Sequence, residues 1–183
     1  DKATITVKSG SLTPVGDAEF TVVPAVSKAI RVTTYVYDDK DGWVSKSTVP
    51  SGGEFYVKAM VIDNNNVEVQ SNDFEDRLVL AGIDPEDLYT KDASGKKVPL
   101  DKLPEIKWSS AEKAYVTDPV FAGKAGSYRI EVKDESSATS VSGIRGFSIT
   151  AGKAAKVGYT DTKLTYKPGE VQSITLRVLD END

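Results

Sequence analysis

The chain of 183 residues contains no cysteine, no histidine and a single methionine. Without cysteine and histidine it has no disulfide, no thiolate nucleophile, no histidine general base and no zinc site built on those ligands. Paired carboxylates can hydrolyse glycosidic bonds, but the acidic residues of this chain fall in predicted loops and turns, which do not raise a carboxylate pKa by burial. We therefore expect that the protein is not an enzyme.

Positive charge is also in short supply. The chain has 23 Lys and Arg residues against 28 Asp and Glu, a formal net charge of −5. The basic residues are scattered, whereas nucleic acid is bound by clustered Lys and Arg. The longest apolar runs, such as 116–122 with Asp118 inside it, are far shorter than the roughly 20 residues that cross a bilayer. We expect neither nucleic acid nor a membrane as a partner.

The sequence repeats itself at long range. Segment 28–32 reappears as 153–157, an offset of 125 residues (153 − 28). A second landmark, Pro50 before an apolar strand, is matched by Pro168, an offset of 118 (168 − 50). The difference predicts an insertion of seven residues in the first copy, between Val32 and Pro50. A period of this size is typical of an array of joined modules.

The two ends of the chain carry parts of the same pattern. Segment 5–8 matches 130–133, and the phenylalanine strand at 20–22 matches 147–149. The ends therefore read as incomplete copies on either side of a complete one. The predicted parts are 1–25 as the last strands of a preceding unit, 26–150 as a complete domain, and 151–183 as the first strands of a following unit.

Alternating apolar residues predict strands through most of the chain. The run 30–37 is β-branched and aromatic, and the run 55–62 places every second residue on one apolar face. That face consists of Phe55, Val57, Ala59 and Val61. Seven or eight short strands in about 125 residues predict an all-β, immunoglobulin-like Greek-key sandwich. One helical turn is predicted at 84–88, and a long decorating loop at 89–103.

Two strand patterns carry a resemblance to a known family. Segment 61–66 reads Val-Ile-Asp-Asn-Asn-Asn and recurs at 178–182 as Val-Leu-Asp-Glu-Asn, and segment 125–134 reads Ala-Gly-Ser-Tyr-Arg-Ile-Glu-Val-Lys-Asp. These patterns resemble the bacterial immunoglobulin-like (Big-type) tandem repeats of Gram-positive S-layer and cell-surface proteins. The resemblance implies a secreted structural protein of the cell surface. Its partners would be neighbouring copies in a lattice or fibre, and cell-wall polymer reached through other domains.

Acidic turns are candidates for calcium, because hard cations take six to eight oxygen ligands and closely spaced carboxylates supply them. One such turn precedes Gly42, and two others follow corresponding strands, where adjoining units would meet. The same residue types also suit ordinary solvated turns. The candidate ligands are Asp38, Asp39, Asp41, Asp63, Asn65, Asp180 and Asn182.

The two tryptophans raise an alternative function, an adhesin or carbohydrate-binding surface module. Trp108 shares a strand face with Ile106 and is expected in the core. Trp43 follows a turn glycine and is expected to be exposed, where it would contact a sugar or a neighbouring subunit together with loop 89–103. The sequence shows no concentrated aromatic platform, which favours the structural module over the recognition module.

Overall fold

The computed structural model describes residues 2–5, 18–21, 26–135, 141–152, 154–160, 167–169 and 175–180. In these ranges the protein is all-β, with sixteen strands and two single-turn 3-10 helices. The strands are β1 (Lys2–Ile5), β2 (Ala18–Thr21), β3 (Ser27–Asp38), β4 (Gly42–Ser45), β5 (Thr48–Pro50), β6 (Glu54–Asp63), β7 (Leu78–Ala81), β8 (Leu88–Lys91), β9 (Lys97–Pro99), β10 (Ile106–Ser109), β11 (Ala114–Thr117), β12 (Val120–Ala122), β13 (Gly126–Asp134), β14 (Val141–Thr150), β15 (Ala154–Thr160) and β16 (Thr175–Asp180). The 3-10 helices are Glu75–Arg77 and Pro85–Asp87.

The strands from β3 to β14 form two sheets. In the larger sheet, β3 lies between β4 and β6, and all pairings are antiparallel. The other edge of β6 pairs with β11 over one stretch and with β12 over another; β10 extends the first branch, and β8 and β9 extend the second. The smaller sheet has the order β5-β14-β13-β7, in which β5 runs parallel to β14 and the other neighbours are antiparallel.

The core lies between these two sheets. The rings of Phe55 on β6 and Phe147 on β14 meet with centroids 4.7 Å apart. The predicted apolar face of β6 is confirmed, since its four members are buried: Phe55, Val57, Ala59 and Val61. Each large apolar side chain buried in this way contributes about 1.5–3 kcal/mol. The sheets approach closely at Gly143 of β14, where a Cβ atom would lie 2.2 Å from the carbonyl oxygen of Ile30.

The first two strands pair in the register of β13 and β14. Ala3 lies opposite Phe20 in the β1–β2 hairpin, and Tyr128 lies opposite Phe147 in the β13–β14 hairpin. The two offsets are 125 residues (128 − 3) and 127 residues (147 − 20). They hold for all four residue pairs of the β1–β2 hairpin, so the two hairpins share one register.

The last two strands pair in the register of β3 and β6. Ser27 lies opposite Asp63, and Ala154 lies opposite Asp180. In both strand pairs one residue of the first strand bulges out directly after the pair named above. The bulge lies between Ser27 and Ala29 in β3 and between Ala154 and Lys156 in β15. A bulge is a specific local feature, and here it occurs at the same place in both strand pairs.

The structural equivalence corrects the offsets that the sequence suggests. Ser27 and Ala154 are 127 residues apart, two more than the offset of 125 between the matching sequence segments. A shift of two residues keeps every side chain on the same face of its strand. On the second strand, Asp63 and Asp180 are 117 residues apart, as are the turn glycines Gly52 and Gly169, with φ of +85° and +83°. The segment from Ser27 to Asp63 is therefore ten residues longer than the segment from Ala154 to Asp180 (127 − 117), where the sequence match predicts a difference of seven.

Of two local predictions, one is confirmed and the other is wrong in part. The helical turn is confirmed as the 3-10 helix Pro85–Asp87, although the side chain of Asp84 makes no capping hydrogen bond. The loop predicted at 89–103 is wrong in part, because β8 and β9 form a hairpin there. Its turn is held by Asp92, whose Oδ1 accepts hydrogen bonds from the backbone N–H groups of Ser94 at 2.8 Å and Lys96 at 3.0 Å.

Candidate functional site

The first predicted calcium turn joins β3 to β4. Asp38 accepts hydrogen bonds from the ammonium group of Lys46 at 2.9 Å and from the backbone N–H of Lys40 at 3.1 Å. The Lys46 contact, helped by the Lys40 N–H, lowers the pKa of the Asp38 carboxyl. Asp39 and Asp41 lie exposed in the same turn. The structure thus already places a cation, the Lys46 ammonium, on the first of these three carboxylates.

The second predicted turn follows β6. The carboxylate of Asp63 accepts hydrogen bonds from the N–H groups of Asn65 at 2.8 Å and Val67 at 2.9 Å, and from the Asn65 side-chain amide at 3.4 Å. The Val67 N–H is the main cause of the lowered pKa of Asp63. Asn65 therefore acts as a donor to Asp63 and is oriented as part of the turn. This is the chemistry of an Asx turn.

The predicted calcium residues do not come together at one point. Asp63 lies opposite Ser27 at the start of β3, and Asp38 ends the same strand, so these two turns are about 36 Å apart along it. Asp180 ends β16, and Asn182 lies outside the described residues. Within the described ranges, no three acidic side chains gather closely enough to hold a metal ion. Calcium binding stays a prediction.

A buried carboxylate joins two strands and a 3-10 helix at one end of the sandwich. Asp134, at the end of β13, is 1% exposed. It accepts hydrogen bonds from the Arg77 guanidinium at 2.8 and 3.3 Å and from the hydroxyl of Ser27, the first residue of β3. The guanidinium also lies over the ring of Phe74, 4.3 Å from its centroid. A buried charge with these partners is a structural link, and no local sequence pattern indicates that these residues pair.

A tyrosine fixes the start of β13. The Tyr128 hydroxyl shares its proton between the carbonyl oxygen of Lys124 at 2.9 Å and the Asp87 carboxylate at 3.0 Å. Burial, followed by the Asp87 contact, raises the pKa of Tyr128 to about 12. The hydroxyl therefore stays protonated and continues to donate at any physiological pH. This contact ties the chain before β13 to the 3-10 helix Pro85–Asp87.

Four aromatic side chains meet on the outer surface of the larger sheet, on the side away from the core. We call Tyr35, Tyr37, Trp43 and Tyr56 the aromatic cluster. Tyr35 and Tyr37 alternate with buried residues of β3; Tyr56 lies opposite Tyr35 on β6, and Trp43 lies opposite Tyr37 on β4. Cross-strand neighbours of this kind bring rings into contact. Because they project away from the core, they form a surface.

The rings of the aromatic cluster contact one another directly. Tyr35 and Tyr56 stack with centroids 5.1 Å apart, and Trp43 stands edge-on to Tyr56 at 4.9 Å and to Tyr37 at 5.3 Å. Each such pair contributes about 0.5–1.5 kcal/mol beyond burial. Burial, with the nearby Glu112 carboxylate, raises the pKa of Tyr56 to about 12. Tyr37 and Trp43 stay 47% and 37% exposed, so the cluster is open to solvent at this edge.

A second aromatic pair lies on the same outer surface. Phe121 of β12 pairs in register with Glu54 of β6 on one side and with Tyr89 of β8 on the other. The two rings stack with centroids 5.3 Å apart and planes 16° apart. The ammonium groups of Lys91 and Lys97 lie over them, 4.2 Å from the Phe121 centroid and 5.2 Å from the Tyr89 centroid. These contacts are cation–π interactions.

A groove of about 1080 Å³ is lined by members of both aromatic groups. Tyr37 and Phe121 contribute rings, and residues 50–53 and 151–152 contribute mainly backbone and small side chains. The charged side chains of its wall are balanced in number. They are Asp38, Asp39, Glu54, Lys40, Lys46 and Lys91. The groove therefore combines aromatic surface with hydrogen-bond donors and acceptors of both signs.

The structure corrects the expectation that the chain has no concentrated aromatic platform. The alternation of Tyr35 and Tyr37 was visible in the sequence, but their convergence with Trp43 and Tyr56 depends on the register of three strands. The exposure expected for Trp43 is confirmed. Trp108 packs partly buried against the core, edge-on to the Tyr115 ring at 5.1 Å, as its strand pattern predicted.

Comparison of the chain with protein-family models, with curated proteins and with solved structures finds no match.

In the part of the chain that the structure describes, no helix is long and apolar enough to cross a membrane.

Proposed function

We propose that this protein is a structural module of a bacterial cell-surface array, built from immunoglobulin-like β-sandwich units joined in tandem. The observation that carries the proposal is the repeated register. The hairpin β1–β2 has the pairing of β13–β14, and the hairpin β15–β16 has the pairing and the bulge of β3–β6. One hairpin thus matches the end of the central unit, and the other matches its beginning.

The order of strands supports an immunoglobulin-like Greek key. Successive strands change sheets repeatedly: β4 is in the larger sheet, β5 in the smaller, β6 in the larger, β7 in the smaller, and β13 and β14 return to the smaller. Adjacent strands in a sheet are therefore often distant in sequence, as in Greek-key sandwiches. The parallel β5–β14 pair closes one edge of the smaller sheet.

The Tyr128 contact also supports this fold. A tyrosine near the start of the penultimate strand, with its hydroxyl bonded to backbone a few residues upstream, is the tyrosine corner of immunoglobulin-like sandwiches. Tyr128 is in β13, the penultimate strand of the central unit, and it donates to the carbonyl of Lys124. The residues 125–134, which resemble the family pattern, include this tyrosine.

The proposed units are 1–25, 26–150 and 151–183, with neighbouring copies in a lattice or fibre as partners. The chain's lack of cysteine and its low methionine content fit an extracellular surface protein that does not rely on disulfides. Calcium between units is a secondary proposal. It is supported by the equivalent positions of Asp63 and Asp180 and opposed by the hydrogen bonds that Asp63 already accepts.

Antibodies raised against the chain test the proposed location and assembly. On intact cells of the source organism, we expect surface labelling without permeabilisation, and immuno-electron microscopy should show a regular spacing of the label. Labelling that appears only after permeabilisation would contradict the proposal. An antibody against a cytoplasmic protein serves as the control for cell integrity.

The aromatic cluster supports a second candidate function, a recognition module within the same array. A purely mechanical unit has no evident need for an exposed Tyr37 in a groove that also contains charged side chains. The two functions are compatible, because among the residues that line the groove only Val36 belongs to the buried apolar core.

A further inference from the structure

We propose that the groove lined by Tyr37 and Phe121 binds an uncharged oligosaccharide. This inference goes beyond the structural role and does not depend on the tandem array. The volume of the groove, about 1080 Å³, is just above the range typical of small-molecule sites, roughly 300–1,000 Å³, and suits several sugar rings better than a single one.

The aromatic rings supply the first requirement of such a site. A pyranose ring has faces of C–H groups, which pack on aromatic rings, and an edge of hydroxyl groups. Tyr37 is 47% exposed at one side of the groove and offers a ring to a sugar. At the other side, Phe121 stacks on Tyr89 and has the Lys91 ammonium over its ring, 4.2 Å from the centroid, so it contributes apolar wall and a hydrogen-bond donor. Because Tyr37 is held edge-on by Trp43, its ring is positioned before any ligand arrives, which lowers the entropic cost of binding.

The balanced charge of the wall identifies the ligand as uncharged. A hydroxyl group both donates and accepts hydrogen bonds, so it is satisfied by a wall that offers carboxylates and ammonium groups together. The groove has three of each, with Asp38 and Lys46 already paired at 2.9 Å. An anionic polymer would instead favour a wall of basic residues, and a cationic one a wall of acidic residues.

Glu54 is the polar residue best placed to contact the ligand. Its neighbour Phe55 is in the core, so Glu54 projects to the outer surface, next to Phe121 across the strand pair. Among the described residues, the Glu54 carboxylate has no hydrogen-bond or ion-pair partner. This half-buried residue, in register with Phe121, is therefore available to accept hydrogen bonds from sugar hydroxyls.

The test is binding of the full 183-residue chain to defined neutral probes: cellohexaose, chitohexaose, xylohexaose and mannohexaose, each measured by isothermal titration calorimetry and by tyrosine and tryptophan fluorescence. Polygalacturonate and heparin are the charged comparisons. Tyr37→Ala and Glu54→Gln remove the stacking ring and the free carboxylate; Tyr37→Phe keeps the ring. Ile144→Ala removes an exposed apolar side chain on the smaller sheet and is the matched control. Circular dichroism checks that each variant is folded.

We expect saturable binding to at least one neutral probe. Tyr37→Ala should weaken it by at least about tenfold, and Glu54→Gln by several-fold, whereas Tyr37→Phe and Ile144→Ala should leave it unchanged. Three results would overturn the proposal: no binding to any neutral probe at millimolar concentration, preference for a charged polymer, or equal loss in Ile144→Ala and Tyr37→Ala. A concentration-dependent dimer that Tyr37→Ala abolishes would instead assign this surface to a second copy of the chain.

Discussion

The strand pairs β3–β6 and β15–β16 share a register and a bulge but differ completely in burial. Ile30 is 7% exposed, and Val157 at the equivalent position is 67% exposed; Val61 and its equivalent Val178 are 0% and 66% exposed. The pairing is a local property of alternation, the bulge and the turn glycine. Burial is a non-local property, because β3 and β6 are covered by β14 and β13 of the smaller sheet. The same local pattern therefore has two outcomes, depending on the sheet that faces it.

The largest expected effect on stability comes from removing the buried Asp134 carboxylate, which links β13 to the start of β3. Asp134→Ala leaves the Arg77 guanidinium without its buried carboxylate and the Ser27 hydroxyl without its acceptor. We expect a loss of about 3–5 kcal/mol in the free energy of unfolding, measured by urea denaturation. Ala154 in β15 corresponds to Ser27 in β3 and has no hydroxyl group. The variant therefore removes from β3 a side-chain hydrogen bond that Ala154 cannot make. The control Glu135→Ala, in an exposed position, should change stability by less than about 0.5 kcal/mol.

The next prediction compares equivalent valines directly. Val61→Ala removes a fully buried side chain and should cost about 2–3 kcal/mol. Val178→Ala removes a side chain that is 66% exposed and should change the main unfolding transition by less than about 0.5 kcal/mol. Equal losses in the two variants, measured in parallel urea titrations, would show that β15–β16 is packed as β3–β6 is.

A smaller effect concerns the turn after β6 and its pH dependence. The N–H groups of Val67 and Asn65 hold the pKa of Asp63 below its ordinary value. The unfolded chain therefore binds this proton more readily than the native state, so the stabilisation is present above a pH of about 4 and is lost as the pH falls through the lower native pKa.

Asp63→Asn should therefore lower the urea midpoint at neutral pH, and its difference from the wild type should shrink as the pH falls below the ordinary aspartate pKa of about 3.9. The exposed Asp39→Asn is the matched control and should show little difference at either pH. If the Asp63→Asn difference stayed constant across this range, the charge of Asp63 would not be what the turn uses.

The smallest expected effect concerns calcium. A ligand that binds only the native state raises its apparent stability, and the Asp38 and Asp63 carboxylates already have protein partners. For these two turns we expect melting curves with calcium and with chelator to coincide. A calcium-dependent rise that Asp63→Asn abolishes would support a shared site between units, and a rise abolished by Asp38→Asn would support the β3–β4 turn.

The sequence predicted the features that depend on alternation and on turn chemistry. The buried face of β6, the exposed Trp43 and the 3-10 turn after Asp84 follow from residue patterns within a few positions, and the structure contains all three. A long-range sequence match was also visible, but its offset of 125 residues for β3 and β15 differs by two from the offset in the structural pairing. In a strand this error is hidden, because a shift of two leaves the apolar alternation unchanged.

The features that the sequence did not reveal depend on residues far apart in the chain. Asp134 and Ser27 are separated by 107 residues, and only the packing of β13 near the start of β3 joins them. The aromatic cluster likewise requires β4 to fold back onto β3 and β3 to pair with β6. Patterns within one strand predict which side chains share a face, but they do not state which strands are neighbours.

We propose that residues 26–150 form a self-contained unit whose strand pairs recur at both ends of the chain. Urea denaturation of a chain shortened to 26–150, followed by circular dichroism and tryptophan fluorescence, tests this proposal most directly. We predict one cooperative transition with the midpoint of the main transition of the full chain, since Trp43 and Trp108 both lie inside this range. A shortened chain that is unfolded, or whose midpoint is much lower, would contradict the claim.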